Sequence, residues 1–310
     1  ASREPHYDWV GIARNGGPSK GFSEIMPSFR DALTLEELEA AVTYAKSLHG
    51  GEAWPPGEFN LPRALFTGKA YPEDEIVLQT TFSEDADGLS SIGGKLVYEQ
   101  RFGARNMWEI VVPFGWSERL RYDFDPLFPP TVEWGSNLGD IALAVKRCFH
   151  HDLRGGSILS GTAELILPTG DRRSGFGKNT FIFEPFLVYG QLLPADFFLQ
   201  AQTGLELPFS RAYAENEAFL RVALGKEIRL KPWGRVFSPM VEVLAAKELV
   251  AGEKVVFDAV PQIQVTLNKR HHVRFNVGVR LPLNETSGRD LAVVAYLLWD
   301  WFDGAFFAGW

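Results

Sequence analysis

The chain of 310 residues contains a single cysteine, Cys148, and no long run of apolar residues. One cysteine can form neither a disulfide within the chain nor a cysteine-rich zinc site. A transmembrane helix needs about 18 or more consecutive apolar residues, so the sequence excludes one. A closed β-barrel is then the remaining way for the chain to cross a membrane. The first six residues also lack an apolar signal core, so we expect that any signal peptide has been removed.

Basic residues are in the minority as well. The net charge is −8 and the sequence pI is about 5.4, with no basic patch of the kind that binds nucleic acid, so we expect no nucleic-acid partner. With 45% hydrophobic residues the chain can bury a large core, and its length suits one large unit plus a small one.

From Glu75 to Trp310 apolar and polar residues alternate in segments of about ten residues separated by turn-type residues. The predicted fold is all-β: an antiparallel transmembrane β-barrel of about twelve strands, preceded by a small α-helical segment. The predicted strands are 75–83, 91–103, 107–116, 138–149, 157–167, 179–190, 196–207, 217–229, 239–250, 254–267, 271–282 and 290–302.

Alternation on these strands puts apolar side chains on lipid and charged ones in the lumen. We expect Glu164, Glu184, Glu206 and Glu242 to be lumen charges that balance basic ones, namely Lys95, Arg101, Lys146 and Arg274. The pairs His150-His151 and His271-His272 cannot chelate a metal through both rings on a strand, so we interpret them as interface histidines near turns. The loop Gly175-Phe176-Gly177-Lys178 lacks the spacing of a phosphate loop.

The connections orient the barrel, because outer-membrane barrels have short periplasmic turns and longer external loops. The connections after even-numbered strands are mostly brief, whereas 83–90, 117–137 and 168–178 are long. This pattern puts the N-terminal segment in the periplasm. Aromatic residues at strand ends are typical of interface girdles, namely Trp108, Trp116, Trp299, Trp301 and the terminal Trp310.

Two short motifs lie on neighbouring hairpins, Asn137-Leu138-Gly139-Asp140 and Leu167-Pro168-Thr169-Gly170-Asp171. With the strand pattern, they resemble the outer-membrane channel family associated with transport in phenol-degradation pathways. The resemblance covers about 230 residues and implies a channel in the bacterial outer membrane. Turn chemistry alone also explains the second motif.

Thr34-Leu35-Glu36-Glu37 has the form of a capping box and predicts the start of a helix. Apolar residues then recur at spacings of three and four, and Gly50-Gly51 supplies a stop.

The loop before this helix, Gly21 to Phe29, contains Met26-Pro27-Ser28-Phe29. Loop and helix together resemble the C-terminal half of a class I cytochrome c. The resemblance implies heme c as cofactor, with Met26 as an axial ligand of the iron, Pro27 and Phe29 shaping the loop, and Tyr44 packing the helix. The Cys-x-x-Cys-His attachment motif is absent, so the heme-carrying half either precedes this chain or has been lost. Without heme, Met26 would be a core methionine.

We therefore predict three regions: residues 1–50 as a partial cytochrome c-like segment, 51–74 as a proline-rich docked linker, and 75–310 as the barrel. The linker carries more apolar residues than a free tether needs, so we expect it on the barrel mouth or in the lumen.

The leading hypothesis is electron transfer at or across the outer membrane. Its partners would be outer-membrane lipids and periplasmic or extracellular cytochromes, or the missing upstream half. The alternative is a passive or selective channel for small solutes, aromatic ones among them, with a vestigial head. A soluble β-sandwich or lipocalin-like binder would also alternate, but the aromatic girdles and strand count argue against it. No nucleophile or supported carboxylate pair indicates an enzyme.

Overall fold

The computed structural model describes residues 4–48, 54–84, 88–121, 131–172, 175–230, 234–286 and 289–301. Two α-helices come first, α1 (His6–Asn15) and α2 (Leu35–Ser47), and every strand follows them. The strands are β1 (Glu75–Glu84), β2 (Ser90–Phe102), β3 (Asn106–Arg121), β4 (Thr131–Leu138), β5 (Ala142–Asp152), β6 (Ser157–Ile166), β7 (Ile182–Leu192), β8 (Phe197–Pro208), β9 (Glu217–Lys226), β10 (Ile228–Arg229), β11 (Val236–Glu248), β12 (Val256–Thr266), β13 (Val273–Pro282) and β14 (Ala292–Asp300).

The strands form one closed antiparallel barrel, because β14 pairs with β1. Strands β4 and β5 both pair with β3, and β9 and β10 both pair with β11, so each of these couples is one wall strand with a break. The wall therefore has twelve strands, which confirms the predicted fold. Closure leaves no strand edge in the wall, and so every wall strand finds a partner on both sides.

The strand boundaries lie close to the predicted ones except at the connection predicted for 117–137. There β3 continues to Arg121 and β4 begins at Thr131, so most of the predicted loop is a paired hairpin. The break between β4 and β5 contains Gly139, where an added Cβ would lie 2.8 Å from the Pro113 side chain. The sequence predicted a loop over 117–137, but residues 131–138 pair with β3.

Alternating burial shows which side chains face the lumen. On β5, Ala142, Ala144 and Lys146 are buried, whereas Leu143 and Val145 between them are exposed. Exposed apolar side chains on the outside of the wall are what a lipid-facing surface requires. The predicted alternation is confirmed, and it makes the lumen the polar side of the barrel.

The head, residues 4–48, packs α1 against α2. Val10 and Ala13 of α1 meet Leu38 and Val42 of α2 in a small apolar core. The predicted capping box is confirmed: the Thr34 hydroxyl accepts from the Glu37 amide, and the Glu37 carboxylate accepts from the Thr34 amide. The predicted stop at residues 50 and 51 lies outside the described residues. No helix in the described part of the chain is long and apolar enough to cross a membrane.

Replacing Leu38 with alanine should destabilise the head, because Leu38 is 2% exposed. Loss of a buried leucine costs about 2 to 5 kcal/mol. Hydrogen exchange of the α1 and α2 amides should accelerate, with barrel amides unchanged. Leu35→Ala is the matched control on the same helix, since Leu35 is 50% exposed. Equal effects of the two substitutions would contradict the described helix packing.

Candidate functional site

Residues 54–74, called here the plug segment, fold into the lumen of the barrel. Phe59, Leu61, Leu65 and Tyr71 of this segment are buried against side chains of the wall. The described part of the predicted linker thus lies in the lumen, one of the two locations expected for it.

The tip of the plug segment is held by one carboxylate of the wall. Glu242 on β11 accepts hydrogen bonds from the backbone amides of Leu65 (2.9 Å), Phe66 (3.1 Å) and Thr67 (2.6 Å). It also accepts from the Thr67 hydroxyl at 2.6 Å and from the Gln262 amide at 2.5 Å. Consecutive amides aimed at one anion form a nest. Glu242 is fully buried, so these donors replace its hydration.

Another part of the plug segment makes further polar contacts with the wall. Arg63 forms ion pairs with Glu75 and with Glu99, the latter at 3.0 Å. The Arg63 carbonyl accepts from Asn276 at 3.2 Å and from the Tyr296 hydroxyl at 2.5 Å. These four wall residues lie on the adjacent strands β13, β14, β1 and β2, so Arg63 holds the segment to one side of the wall.

Two of the expected lumen cations are paired with acids other than the predicted ones. Arg101 binds Asp74 of the plug segment at 2.6 Å, and Arg274 binds Asp300 at 3.2 Å. Among the described residues, no ion pair joins Glu164, Glu184 or Glu206 to a basic side chain. These acids therefore form no direct ion pairs, but the charge of Lys95, one of the predicted balancing cations, acts on Glu164 and Glu184. The plug segment, which strand periodicity does not reveal, supplies part of the negative charge that balances the lumen cations.

The barrel has an end with short turns and an end with longer loops. The short-turn end comprises connections 103–105, 153–156 and 193–196, whereas the loops 167–181, 209–216 and 283–291 lie at the other end. At the long-loop end the two sequence motifs meet. The Asp140 carboxylate accepts from the amides of Gly170 (2.8 Å) and Lys178 (2.7 Å), and the Thr169 hydroxyl donates to the Gly139 carbonyl at 3.0 Å.

The head sits at the short-turn end. Arg270, in the turn between β12 and β13, donates to the carbonyls of Lys20 and Gly21, both at 2.9 Å. Asp8 of α1 binds Lys20 at 2.9 Å and lies 3.4 Å from His271. Burial of Asp8 disfavours its charged form, but hydrogen bonding with His271 and the charge of Lys20 outweigh this, so its pKa is lowered.

The histidines of this turn are not surface groups. His272 is 1% exposed and contacts Asp300, and its ring also lies 3.4 Å from Glu4 of the head. The interpretation of His271-His272 as interface histidines is wrong for this pair, because the head covers the turn. A cavity of about 290 Å³ separates the head, plug segment and wall here, with Tyr7, Glu58, Glu227 and Arg229 in its lining.

The residues predicted for heme are spread over the head. Phe29 packs on the α1–α2 core and its amide donates to the Ala13 carbonyl at 3.1 Å. Met26 and Pro27 lie in the loop beside Gly16, and the Met26 side chain is 38% exposed. Tyr44 is 66% exposed, so its side chain is not in that core.

Side chains of α1 and α2 fill the interior of the head. The described residues also include no group of three or more His, Cys, Asp or Glu side chains that could hold a metal ion. The head residues alone therefore do not enclose a heme, and heme ligation by Met26 stays a prediction.

Helix α1 and the role of Glu242 were missed by sequence reasoning. α1 follows Pro5, has no side-chain cap, and contains Gly11, so its signal is weak. Glu242 looks like any other lumen acid in the sequence. The only available signal was the apolar content of the linker, which indicated docking without indicating a partner.

The terminal aromatic Trp310 lies outside the described residues. Trp301 is 5% exposed, with its ring 5.7 Å from Tyr98 and 6.0 Å from Trp299. Trp116 is 44% exposed, as expected of a girdle residue.

The fold is similar to solved outer-membrane barrels. An outer membrane channel from Pseudomonas putida F1 matches over 77% of this chain and 99% of its own, with 13% identity and a TM-score of 0.51. The NanC porin matches over 73% of this chain and 98% of its own, with 6% identity and a TM-score of 0.46. The β domain of the Bordetella autotransporter Brka matches over 74% and 100%, with 13% identity and a TM-score of 0.44.

No protein-family profile matches the chain, and no curated protein matches it by sequence. At this level of identity the likeness concerns the fold, which is that of an outer-membrane β-barrel.

Replacing Glu242 with glutamine should loosen the tip of the plug segment. Hydrogen bonds to a charged group contribute about 1.5 to 3 kcal/mol, so exchange of the Leu65, Phe66 and Thr67 amides should accelerate at least tenfold. Hydrogen exchange with mass spectrometry measures this. Glu253→Gln is the control, since it removes the same charge from a loop between β11 and β12. Unchanged protection in Glu242→Gln would show that other contacts hold the tip.

Proposed function

We propose that the chain is an outer-membrane channel for small solutes, which its own plug segment closes. The observation that carries the proposal is a closed barrel whose polar lumen is filled in its short-turn half by a separate segment. Amides, hydroxyls and ion pairs hold this segment to the wall, so water can replace the contacts when it moves. The similar fold of the channel from Pseudomonas putida F1 supports this function.

The same proposal gives the channel an orientation. Outer-membrane barrels have short turns on the periplasmic side and longer loops outside. The head lies at the short-turn end through Arg270 and His271, so we propose a periplasmic location for it. A solute from outside would then enter the long-loop half of the lumen before it reaches the plug segment.

In planar bilayers the wild-type protein should conduct poorly, and Glu242→Gln should conduct more often or at higher current. A lock should reverse this effect. Ala70 of the plug segment and Cys148 of the wall share one apolar cluster. In a protein that carries both Glu242→Gln and Ala70→Cys, oxidation should cross-link residue 70 to Cys148, which mass spectrometry verifies. The cross-link should abolish the current until a reductant is added.

Ala70→Cys with Cys148→Ser is the control for the lock, since it cannot form the cross-link. If folded wild-type, Glu242→Gln and control barrels all fail to conduct, the protein is not a channel. If the cross-linked barrel conducts as well as the reduced one, the plug segment does not control the pore.

A second candidate function, electron transfer, is favoured by one feature of the head. Ile25, beside Met26, is 91% exposed, Tyr44 on α2 is 66% exposed, and Leu48 just after α2 is 67% exposed. Large apolar side chains left in solvent indicate a surface that another segment covers. Under this reading a heme-carrying segment would pack on the head, and the Met26 thioether would ligate the iron and favour its reduced form.

Absorbance spectra of protein purified from its natural source test this candidate. Heme should co-purify, and Met26→Ala should shift the Soret band and lower the reduction potential because the thioether is lost. The substitution Met240→Ala, at a methionine inside the barrel, is the control. Absence of heme from the natural protein would exclude the electron-transfer function.

A further inference from the structure

The strand register brings lumen carboxylates together in one row. Glu164 on β6 lies directly opposite Glu184 on β7. Glu206 on β8 lies opposite Glu217 on β9, and Glu217 lies opposite Glu248 on β11. The register of β7 and β8, with Phe183 opposite Leu207, aligns the two halves of this row. Five acids on neighbouring strands thus follow one wall of the lumen.

Glu164 and Glu184 form one like-charge pair of this row. Like charges directly opposite each other on a sheet are destabilising. Glu184 is 8% exposed, so bulk water screens it poorly. Within the described ranges neither carboxylate has an ion pair or hydrogen bond to protein. The charges of Lys95 and Arg221 act on both carboxylates, but neither cation forms an ion pair with them in the part of the chain described, so the pair still has room for a further positive charge.

A buried hydroxyl beside this pair is an independent sign of a ligand. Thr162 precedes Glu164 by two residues on β6, on the same face, and lies opposite Phe186 of β7. It is 7% exposed, and its Oγ1 has no hydrogen-bond partner in the described part of the chain. A buried hydroxyl rarely stays unpaired, so an ion or its water is the expected partner.

Basic side chains neutralise the row only in part. Lys95 on β2 and Lys146 on β5 face the same lumen, but no ion pair joins either of them to the row. Arg221 donates to the Phe66 carbonyl of the plug segment at 3.3 Å and lies over the Phe219 ring. Five carboxylates against three such cations leave an acidic excess on the route past the plug segment.

We propose that Glu164, Glu184 and Thr162 form a cation site in the lumen, and that this site makes the channel select small cations over anions. The inference rests on the proposed channel function. Since the described residues hold no cluster of three metal-ligating side chains, the site is too sparse for tight chelation. Weak binding is what conduction requires, because an ion must enter the site and also leave it.

Reversal potentials in a tenfold KCl gradient test the selectivity, with Glu242→Gln as the conducting background. We expect potassium to permeate several-fold better than chloride. Adding Glu164→Gln and Glu184→Gln together should bring the ratio close to one, and Glu164→Lys should favour chloride. Adding Glu253→Gln, which changes the charge of a loop, should leave the ratio unchanged.

A second measurement separates this inference from the channel function. The sodium-23 NMR line should broaden in the presence of detergent-solubilised wild-type protein and narrow by at least twofold with Glu164→Gln and Glu184→Gln. Broadening without conduction would refute the channel and keep the cation site. Conduction that favours chloride, or a ratio that ignores both glutamates, would overturn the selectivity. A sodium line that both substitutions leave unchanged would overturn the site.

Discussion

The structure depends on the pairing of the first wall strand with the last. Glu75 of β1 lies opposite Asp300 of β14, and the ladder between them gives every wall strand two neighbours. In hydrocarbon, unpaired backbone groups cost several kcal/mol each, so an open sheet would not remain in the membrane. Closure also creates the enclosed lumen that the plug segment occupies.

Charged contacts and apolar packing hold the plug segment in place inside the lumen. Burying the Glu242 carboxylate without partners would be costly, and so would burying the amides of Leu65, Phe66 and Thr67 without acceptors. The hydrogen bonds between them remove both costs. The wall strands are fixed by their own ladders, whereas the segment depends on side-chain contacts. This difference in bonding makes the segment the part of the lumen that can move while the barrel stays intact.

The sequence predicted the wall well because a period of two is a strong signal, and strands such as β3 and β13 carry it without interruption. It predicted the α2 cap because the capping box depends only on Thr34 and Glu37, which are close together in the chain. It could not predict which acid holds the plug segment, since Glu242 and Leu65 are distant in the chain. Nor could it show that Glu164 faces Glu184, because register between strands depends on the whole closed sheet.

The plug segment is covalently continuous with β1 at one end and with the head at the other. If it leaves the lumen, its return is an intramolecular reaction, for which a short tether gives an effective concentration of about millimolar. Closing would then be independent of how many copies the membrane holds. Each barrel would then carry its own inhibitor in a ratio of one to one, and dilution would not remove it.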